Sequence, residues 1–200
     1  MATSPRTRLD PDVRRAQLVE LGRRMLSTRS LDTVAIDEIA AEAGISRGLL
    51  FHYFPTKRDY HLAVARAAAQ DLLSRTDPDP SLDALSQLRA SVEAFVDYVS
   101  ENRDPYTAFI RGAAGGDPEA RAVGDATREA FTQRVLARIG ADRPSPRLRV
   151  AVRGWVAFTE EVTVDRMAGD ALDRDGLVAL IVEALVTLVA MAGGEVPGPA

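Results

Sequence analysis

The segment from residue 36 to residue 57, IDEIAAEAGISRGLLFHYFPTK, constrains the fold more than any other part of the chain. Its first half has apolar residues at helical spacing. Gly44 follows at a point where a helix would end in the left-handed conformation that glycine adopts readily. Ser46 is a good N-cap for a second short helix that starts at Arg47 and runs to about Tyr53. Two helices joined by so short a turn cross steeply, which predicts a helix-turn-helix.

This helix-turn-helix has an inner and an outer side. The wedge between its helices is predicted to be filled by Ile39, Ile45 and Leu50. Four other side chains are left to face outward, namely Arg47, Leu49, His52 and Tyr53. The outer side is therefore available for contact with another molecule.

A third helix is predicted to begin just after the segment, with Thr56 as N-cap and Asp59 three residues later, as in a capping box. Lys57 and Arg58 lie in its first turn, where the helix dipole disfavours cations by about 0.3–1 kcal/mol each. Their placement is explained if an external anion binds there, because the free N–H groups of the first turn, the positive end of the helix dipole and the Lys57 ammonium group would all face it. A DNA phosphate is the expected anion, and a solvated helix start is the alternative.

The same residues resemble the N-terminal signature of the tetracycline-repressor (TetR) family of one-component regulators. The resemblance is carried by Ile39-Ala40, by Ala43-Gly44-Ile45-Ser46 and by the run from Leu50 to Lys57, within roughly residues 12–66. The rest of the chain resembles the family only in length and helical character. Two positions depart from the pattern, since many members carry tyrosine in place of Phe51 and a Ser or Thr cap in place of Ala35.

The resemblance implies that the outer side of the helix-turn-helix binds double-stranded DNA. Base edges would be contacted by Arg47, Gly48 and Leu49, and phosphates by Phe51, His52, Tyr53 and Lys57, with Ser46 and Thr56 completing the predicted DNA-binding set. The implied function is that of a homodimeric repressor that leaves a palindromic operator when a small, mostly apolar molecule fills its body. Two alternatives stay open: a constitutive DNA-binding protein that ignores small ligands, and a helical interaction module without DNA binding.

The remaining sequence predicts an all-α fold, since apolar residues recur at helical spacing and no strand pattern is present. About nine helices are expected, in a three-helix DNA-binding head (residues 1–66) and a larger effector-binding and dimerisation body (residues 67–200). The head carries 11 basic and 8 acidic residues, net +3, whereas the body carries 14 and 21, net −7. This polarity is typical of a DNA-binding domain attached to one that does not bind DNA. Asp77-Pro78-Asp79-Pro80 is the clearest break, and Ser81 is predicted to cap the helix after it.

Several classes of function are disfavoured by what the sequence lacks. The chain has no cysteine and no apolar signal core at its start, which predicts a cytoplasmic protein without disulfides or thiolate metal sites. No phosphate loop, nucleotide fingerprint or nucleophile elbow is present. Glu160, Glu161 and Asp165 are interpreted as a solvated helix face. We therefore predict no enzyme activity, no cofactor and no metal.

The last helix is apolar almost all round, since only Glu183 and Thr187 are polar between Leu177 and Ala192. The stretch is shorter than the roughly 18 residues of a membrane span, and a central carboxylate would cost about 2.5–3.5 kcal/mol in lipid. Burial on two sides is predicted instead, one against the body and one against a second subunit. The predicted dimer interface consists of Leu177, Ile181, Ala184, Leu188 and Met191.

The resemblance to the TetR family implies a ligand cavity between the helices of the body, whereas the aromatic residues by themselves are equally consistent with an ordinary helical core. The residues predicted to line it are Phe95, Tyr98, Tyr106, Phe109, Phe131, Trp155, Phe158 and Thr159. A ligand there would act on the DNA-binding head through the long helix that begins at Lys57.

Overall fold

The computed structural model describes residues 10–26, 34–114, 117–166 and 172–197, and within these ranges the chain forms nine helices and no strand. The helices are α1 (Pro11–Leu26), α2 (Ile36–Glu42), α3 (Arg47–Tyr53), α4 (Lys57–Arg75), α5 (Ala84–Glu101), α6 (Arg103–Ala114), α7 (Pro118–Arg138), α8 (Pro146–Arg166) and α9 (Arg174–Met191). The predicted all-α fold is confirmed. No helix in these ranges is both long and apolar enough to cross a membrane.

The chain divides into two compact units, Met1–Ala68 and Ala69–Ala200, and from here on head and body mean these units in place of the predicted ranges 1–66 and 67–200. Helices α1 to α3 belong to the head and α5 to α9 to the body. Helix α4 begins in the head and ends in the body, so it is the covalent link between them.

An apolar core in the head receives side chains from α1, α2, α3 and α4. Tyr60 is fully buried there, and its hydroxyl donates a hydrogen bond to the carbonyl of Leu18 at 2.9 Å. Burial raises the pKa of Tyr60 to about 12, so the phenol stays a neutral donor at ordinary pH. Gly22 lies against the same ring, since a Cβ there would clash with the Tyr60 hydroxyl and with Val64. Glycine at this position therefore lets α1 and α4 approach closely.

The main core of the body lies between α5, α7, α8 and α9. Trp155 of α8 is buried in it, and its indole N–H donates to the carbonyl oxygen of Ile181 in α9 at 2.7 Å. A second, smaller cluster includes Leu72 from the end of α4 and Phe95, Tyr98 and Val99 from α5.

The N-terminal cap of α5 differs from the sequence prediction. Asp83 caps α5 in place of Ser81, because its carboxylate accepts from the backbone N–H groups of Leu85 and Ser86, both at 3.0 Å. A carboxylate at the positive end of the helix dipole is the better cap. At the other end, α6 begins immediately after Asn102, and Pro105 lies in its first turn, where no N–H is needed.

Candidate functional site

The turn between α2 and α3 determines how α3 is presented. Gly44 has a φ of 63°, and its N–H and that of Ile45 both bond back to the last turn of α2 at 3.0 Å. This is the arrangement that ends a helix at a left-handed residue. Helix α3 then starts with the Ser46 hydroxyl accepting from the N–H of Leu49 at 3.2 Å. The predicted roles of Gly44 and Ser46 in the turn are confirmed.

Helix α3 has one buried side and one exposed side. Leu50 is buried in the head core, whereas Arg47, Gly48, Leu49 and His52 are exposed. Phe51 and Tyr53 are half-buried and pack against the core, so only part of each ring is accessible. Leu49 is a large apolar side chain that is 39% exposed, which is notable at the surface of so short a helix. The exposed side agrees with the predicted outer side, and its contacts with DNA stay a prediction.

Arg47 has two partners within the head. Its Nη1 atom donates to both carboxylate oxygens of Asp37 in the first turn of α2, at 3.0 and 3.3 Å. Its guanidinium carbon lies 5.4 Å from the centroid of the Phe51 ring, one turn further along α3. The guanidinium is thus held in one place on the exposed side. No contact between Asp37 and Arg47 was predicted from the sequence.

Gly48 lies in open space on the same side. A Cβ at this position would come no closer than 4.0 Å to any neighbouring heavy atom, the nearest being the Ser46 hydroxyl oxygen. The head itself therefore does not require a glycine here, although glycine disfavours a helix. A molecule that approaches the backbone closely would explain it.

The start of α4 has the predicted capping box. The Thr56 hydroxyl accepts from the N–H of Asp59 at 3.1 Å, and the Asp59 carboxylate accepts from the N–H of Thr56 at 2.9 Å. The Thr56 hydroxyl also donates to that carboxylate at 2.8 Å, so its hydrogen is already engaged. Lys57 is half-buried and lies in the first turn. Thr56 and Lys57 both belong to the predicted DNA-binding set, and their contacts with DNA stay a prediction.

Four of the predicted ligand-site aromatics meet at the small cluster in the body. Phe95 contacts Tyr106 and Phe131 edge to face, with ring centroids 6.2 and 6.1 Å apart, and Tyr98 is buried beside them. Phe109 packs between α6 and α7, since a Cβ at Gly124 would lie 3.9 Å from its ring. Phe158 belongs to the edge of the main core instead. The structure therefore brings together only part of the predicted set.

A partly buried polar network borders this aromatic cluster. The Tyr106 hydroxyl donates to Oε1 of Glu160 at 2.9 Å, and Arg128 donates to Oε2 through Nε at 2.8 Å and Nη2 at 2.6 Å. The Glu160 side chain is only 16% exposed. Burial and then the charge of Glu160 raise the pKa of Tyr106 well above its usual value, so the phenol remains a donor. The network joins α6, α7 and α8.

The interpretation of Glu160 as a solvated residue is therefore wrong, and Arg128 was missed altogether. A signal for Glu160 was present in the sequence. It follows the buried Val152 and Val156 at four-residue intervals, which places it on the inward side of α8. Next to it, the Thr159 hydroxyl is buried and has no hydrogen-bond partner among the described residues.

Trp155 and two of the predicted interface residues need correction. Trp155 packs in the main core and bonds to α9, so it is a core residue of the protomer. Leu177 and Ile181 are 1% and 0% exposed in that core, and a side chain with no free surface cannot line an interface. Ala184 and Leu188 pack against the same core and are half-buried, whereas Met191 is 63% exposed. The accessible side of α9 instead carries Leu180, Val186 and Met191.

Comparison with known proteins covers both units. Residues 18–64 match the family described as bacterial regulatory proteins, tetR family, and residues 85–188 match the family described as tetracyclin repressor-like, C-terminal domain. The chain belongs to the TetR family. As a member of that family it is a DNA-binding transcriptional regulator, and its relatives are regulators rather than enzymes.

Individual relatives and solved structures resemble most of the chain. A crystal structure of a tetR-family transcriptional regulator from Streptomyces coelicolor is 31% identical, with 92% of this chain and 84% of that chain covered and a TM-score of 0.83. The HTH-type transcriptional activator FasR from Mycolicibacterium smegmatis is 29% identical over 176 residues, 86% of this chain and 80% of FasR. A regulator from Saccharomonospora viridis in complex with choline shares the fold at 16% identity, with a TM-score of 0.70 over 86% of this chain and 95% of that chain.

Proposed function

We propose that this TetR-family member is a homodimeric cytoplasmic repressor that binds a palindromic operator with α3 of each head and leaves it when a small, mostly apolar molecule enters the body. The DNA-binding part rests on the exposed side of α3, where an arginine, an open glycine and an exposed leucine lie together. Arginine pairs with guanine and an apolar side chain contacts the thymine methyl group. Because the relative FasR is named an activator, a reporter gene placed behind the operator tests the sign of regulation.

Arg47→Ala and Lys57→Ala are expected to weaken DNA binding in different ways. Loss of Arg47 removes a two-pronged guanine contact, so affinity for the preferred site should fall by about 1–3 kcal/mol, with relaxed preference at one base pair per half-site. Lys57→Ala should weaken binding to all sequences alike and reduce the slope of log K against log salt by about one per lost phosphate contact. Anisotropy titrations at several salt concentrations measure both. An unchanged slope for Lys57→Ala contradicts its phosphate role.

Gly48→Ala is expected to separate stability from DNA binding. The added methyl group has free space in the protein and favours the helix, so the free energy of unfolding of the head should rise by up to about 0.5–1 kcal/mol. Operator binding should weaken, because the same methyl group lies where a base edge would approach the backbone. A thermal melt and a titration on one preparation measure both effects. If the variant binds the operator as tightly as the wild type, Gly48 is not at the DNA interface.

The dimer interface is proposed on the accessible sides of α8 and α9. In α9 this side carries Leu180, Val186 and Met191, which are 44%, 40% and 63% exposed in the protomer. In α8 it carries the exposed Val150 and Gly154, and a Cβ at Gly154 would meet nothing within 4 Å. Large exposed apolar side chains on two helices are typical of a self-complementary interface, and on α9 the exposed Glu183 and Thr187 lie among them. The two heads would then face half-sites about 34–36 Å apart or a multiple of that distance.

The switch is proposed to run from the aromatic cluster through α7 to the end of α4. Helix α7 carries Arg128 of the polar network, and two turns further on its Arg134 donates to the carbonyl oxygen of Leu73 in α4. Arg138 binds Asp77 just beyond α4 at 3.1 Å. A ligand that displaces α7 would therefore pull on the end of α4, which begins at Lys57 in the head. A hundredfold loss of operator affinity requires about 2.7 kcal/mol of coupling.

The effector is proposed to bind beside the aromatic cluster, with its polar group at Thr159. The hydroxyl of Thr159 is buried and unpartnered, so it could form a hydrogen bond with a ligand without breaking a hydrogen bond inside the protein. The choline complex of the Saccharomonospora viridis protein shows that a regulator of this fold can hold a small molecule. Mass spectrometry of a molecule carried through purification, followed by titration of that molecule into the protein–operator complex, tests the proposal. A bound molecule that leaves operator affinity unchanged would contradict it.

A further inference from the structure

Asp37 and Arg47 form a pair whose geometry leaves one edge of the guanidinium open. Both carboxylate oxygens are bonded by the same nitrogen, Nη1, at 3.0 and 3.3 Å. Among the residues that the structure describes, no hydrogen bond is formed by Nε or Nη2 of Arg47. Those two nitrogens can donate to two acceptors at once, and guanine offers two suitable acceptors, O6 and N7.

The orientation of the guanidinium is set from two sides. Asp37 holds Nη1 from α2, and the Phe51 ring lies 5.4 Å from the guanidinium carbon. An arginine stacks well on an aromatic face, and a carboxylate at one nitrogen restricts rotation in the ring plane. The side chains of Arg47 and Asp37 are 60% and 68% exposed, so the pair adds little to folding stability. Its effect is on the position of the charge.

We propose that Asp37 is a specificity-determining residue of DNA recognition, which keeps the open edge of Arg47 available for guanine and prevents Arg47 from acting as a general phosphate contact. The inference rests on the proposed function, in which Arg47 contacts a base edge. Asp37 belongs to α2, the first helix of the helix-turn-helix, and would affect base recognition without touching a base itself.

The electrostatic reason lies in how proteins bind DNA without regard to sequence. Phosphate attraction to lysine and arginine supplies nearly all of that binding. Asp37 neutralises Arg47 and places a negative charge beside it, so a phosphate gains little from approaching the pair. A guanine edge is neutral and offers two acceptors, so it is not repelled in this way. The pair therefore lowers affinity for the wrong DNA more than for the right one.

Asp37→Asn tests the inference, with Glu42→Gln as the matched control. Both variants remove one negative charge from α2, and Glu42 is exposed at the far end of that helix. The probes are the duplex that the wild type selects from random-sequence DNA and a scrambled duplex of equal length. For Asp37→Asn, the affinity for the selected duplex divided by that for the scrambled duplex is expected to fall about tenfold, because the variant binds the scrambled duplex more tightly. A change of this size lies within the discrimination that one bidentate guanine contact provides. For Glu42→Gln both affinities should change by the same factor.

Two further variants, Arg47→Ala and the double variant of Arg47→Ala with Asp37→Asn, distinguish a failure of the inference from a failure of the proposed function. If Arg47→Ala lowers the affinity ratio and Asp37→Asn does not, the role of Asp37 is overturned and the proposed function stands. If Arg47→Ala leaves the ratio unchanged, the base contact itself fails and the inference fails with it. The double variant is expected to equal Arg47→Ala, since Asp37 acts through that side chain. A further loss of discrimination in the double variant would contradict this mechanism, and thermal melts of each variant exclude unfolding as its cause.

Discussion

Trp155→Ala is expected to lower the free energy of unfolding of the body by about 3–5 kcal/mol, one of the largest effects for a single substitution in this chain. The indole is 5% exposed, fills the space between α8 and α9 and donates to the Ile181 carbonyl at 2.7 Å. Its removal leaves a cavity in the main core, and operator binding and ligand response should be lost together. A thermal melt and an operator titration on the same preparation measure the effect. A wild-type melting temperature would contradict the core assignment.

Thr159→Val on the same helix provides the contrast. The two side chains are similar in shape, and the Thr159 hydroxyl forms no hydrogen bond with any described residue. Replacing a buried unsatisfied hydroxyl with a methyl group is expected to leave stability unchanged or to increase it. Operator binding by the empty protein should persist, whereas release by the effector should weaken. Equal loss of both activities in Thr159→Val would place Thr159 in the core and not in the ligand site.

Val186→Glu is expected to abolish the dimer and to weaken operator binding by about 10²–10⁴-fold, because each head would then bind its half-site without the other. Val186 is 40% exposed on the accessible side of α9, so the protomer tolerates a carboxylate there. In an apolar interface the same carboxylate would be desolvated without a partner. Sedimentation and an operator titration at one protein concentration measure the two consequences.

Ala126→Glu is the control for that experiment. Ala126 is exposed on α7, outside the proposed interface, and the substitution adds the same charge to the body. It is expected to leave sedimentation and operator affinity close to those of the wild type. A Val186→Glu protein that sediments as a dimer with unchanged affinity would show that the subunits meet elsewhere.

Local features were predictable because their causes lie within a few residues. The left-handed Gly44, the Ser46 cap and the capping box of Thr56 and Asp59 all involve bonds between residues at most five apart. The start of α3 at Arg47 follows from these bonds. The cap of α5 is also a local feature, but its prediction was wrong. Two residues that commonly cap helices, Ser81 and Asp83, lie close to the same helix start, and Asp83 forms the cap.

The candidate sites were only partly predictable, since helical spacing shows which side of a helix is apolar but not what covers it. Both sides of α9 are apolar, so its sequence does not show which side packs against the body. The structure shows that Leu177 and Ile181 are buried in the core, whereas Val186 is accessible. Aromatic composition alone likewise did not separate Trp155 in the main core from Tyr106 in the smaller cluster.

The all-α fold, the helix-turn-helix and the exposed side of α3 were predictable, because they follow from helical periodicity and from bonds along the chain. Contacts between residues distant in sequence were not predictable and required the packed helices. Glu160 meets Arg128 across 32 residues and Tyr106 across 54, and Asp37 meets Arg47 across 10. Such pairs form only when helices pack at a particular angle and register. That packing depends on the shape of every side chain in the interface, which no single stretch of sequence contains.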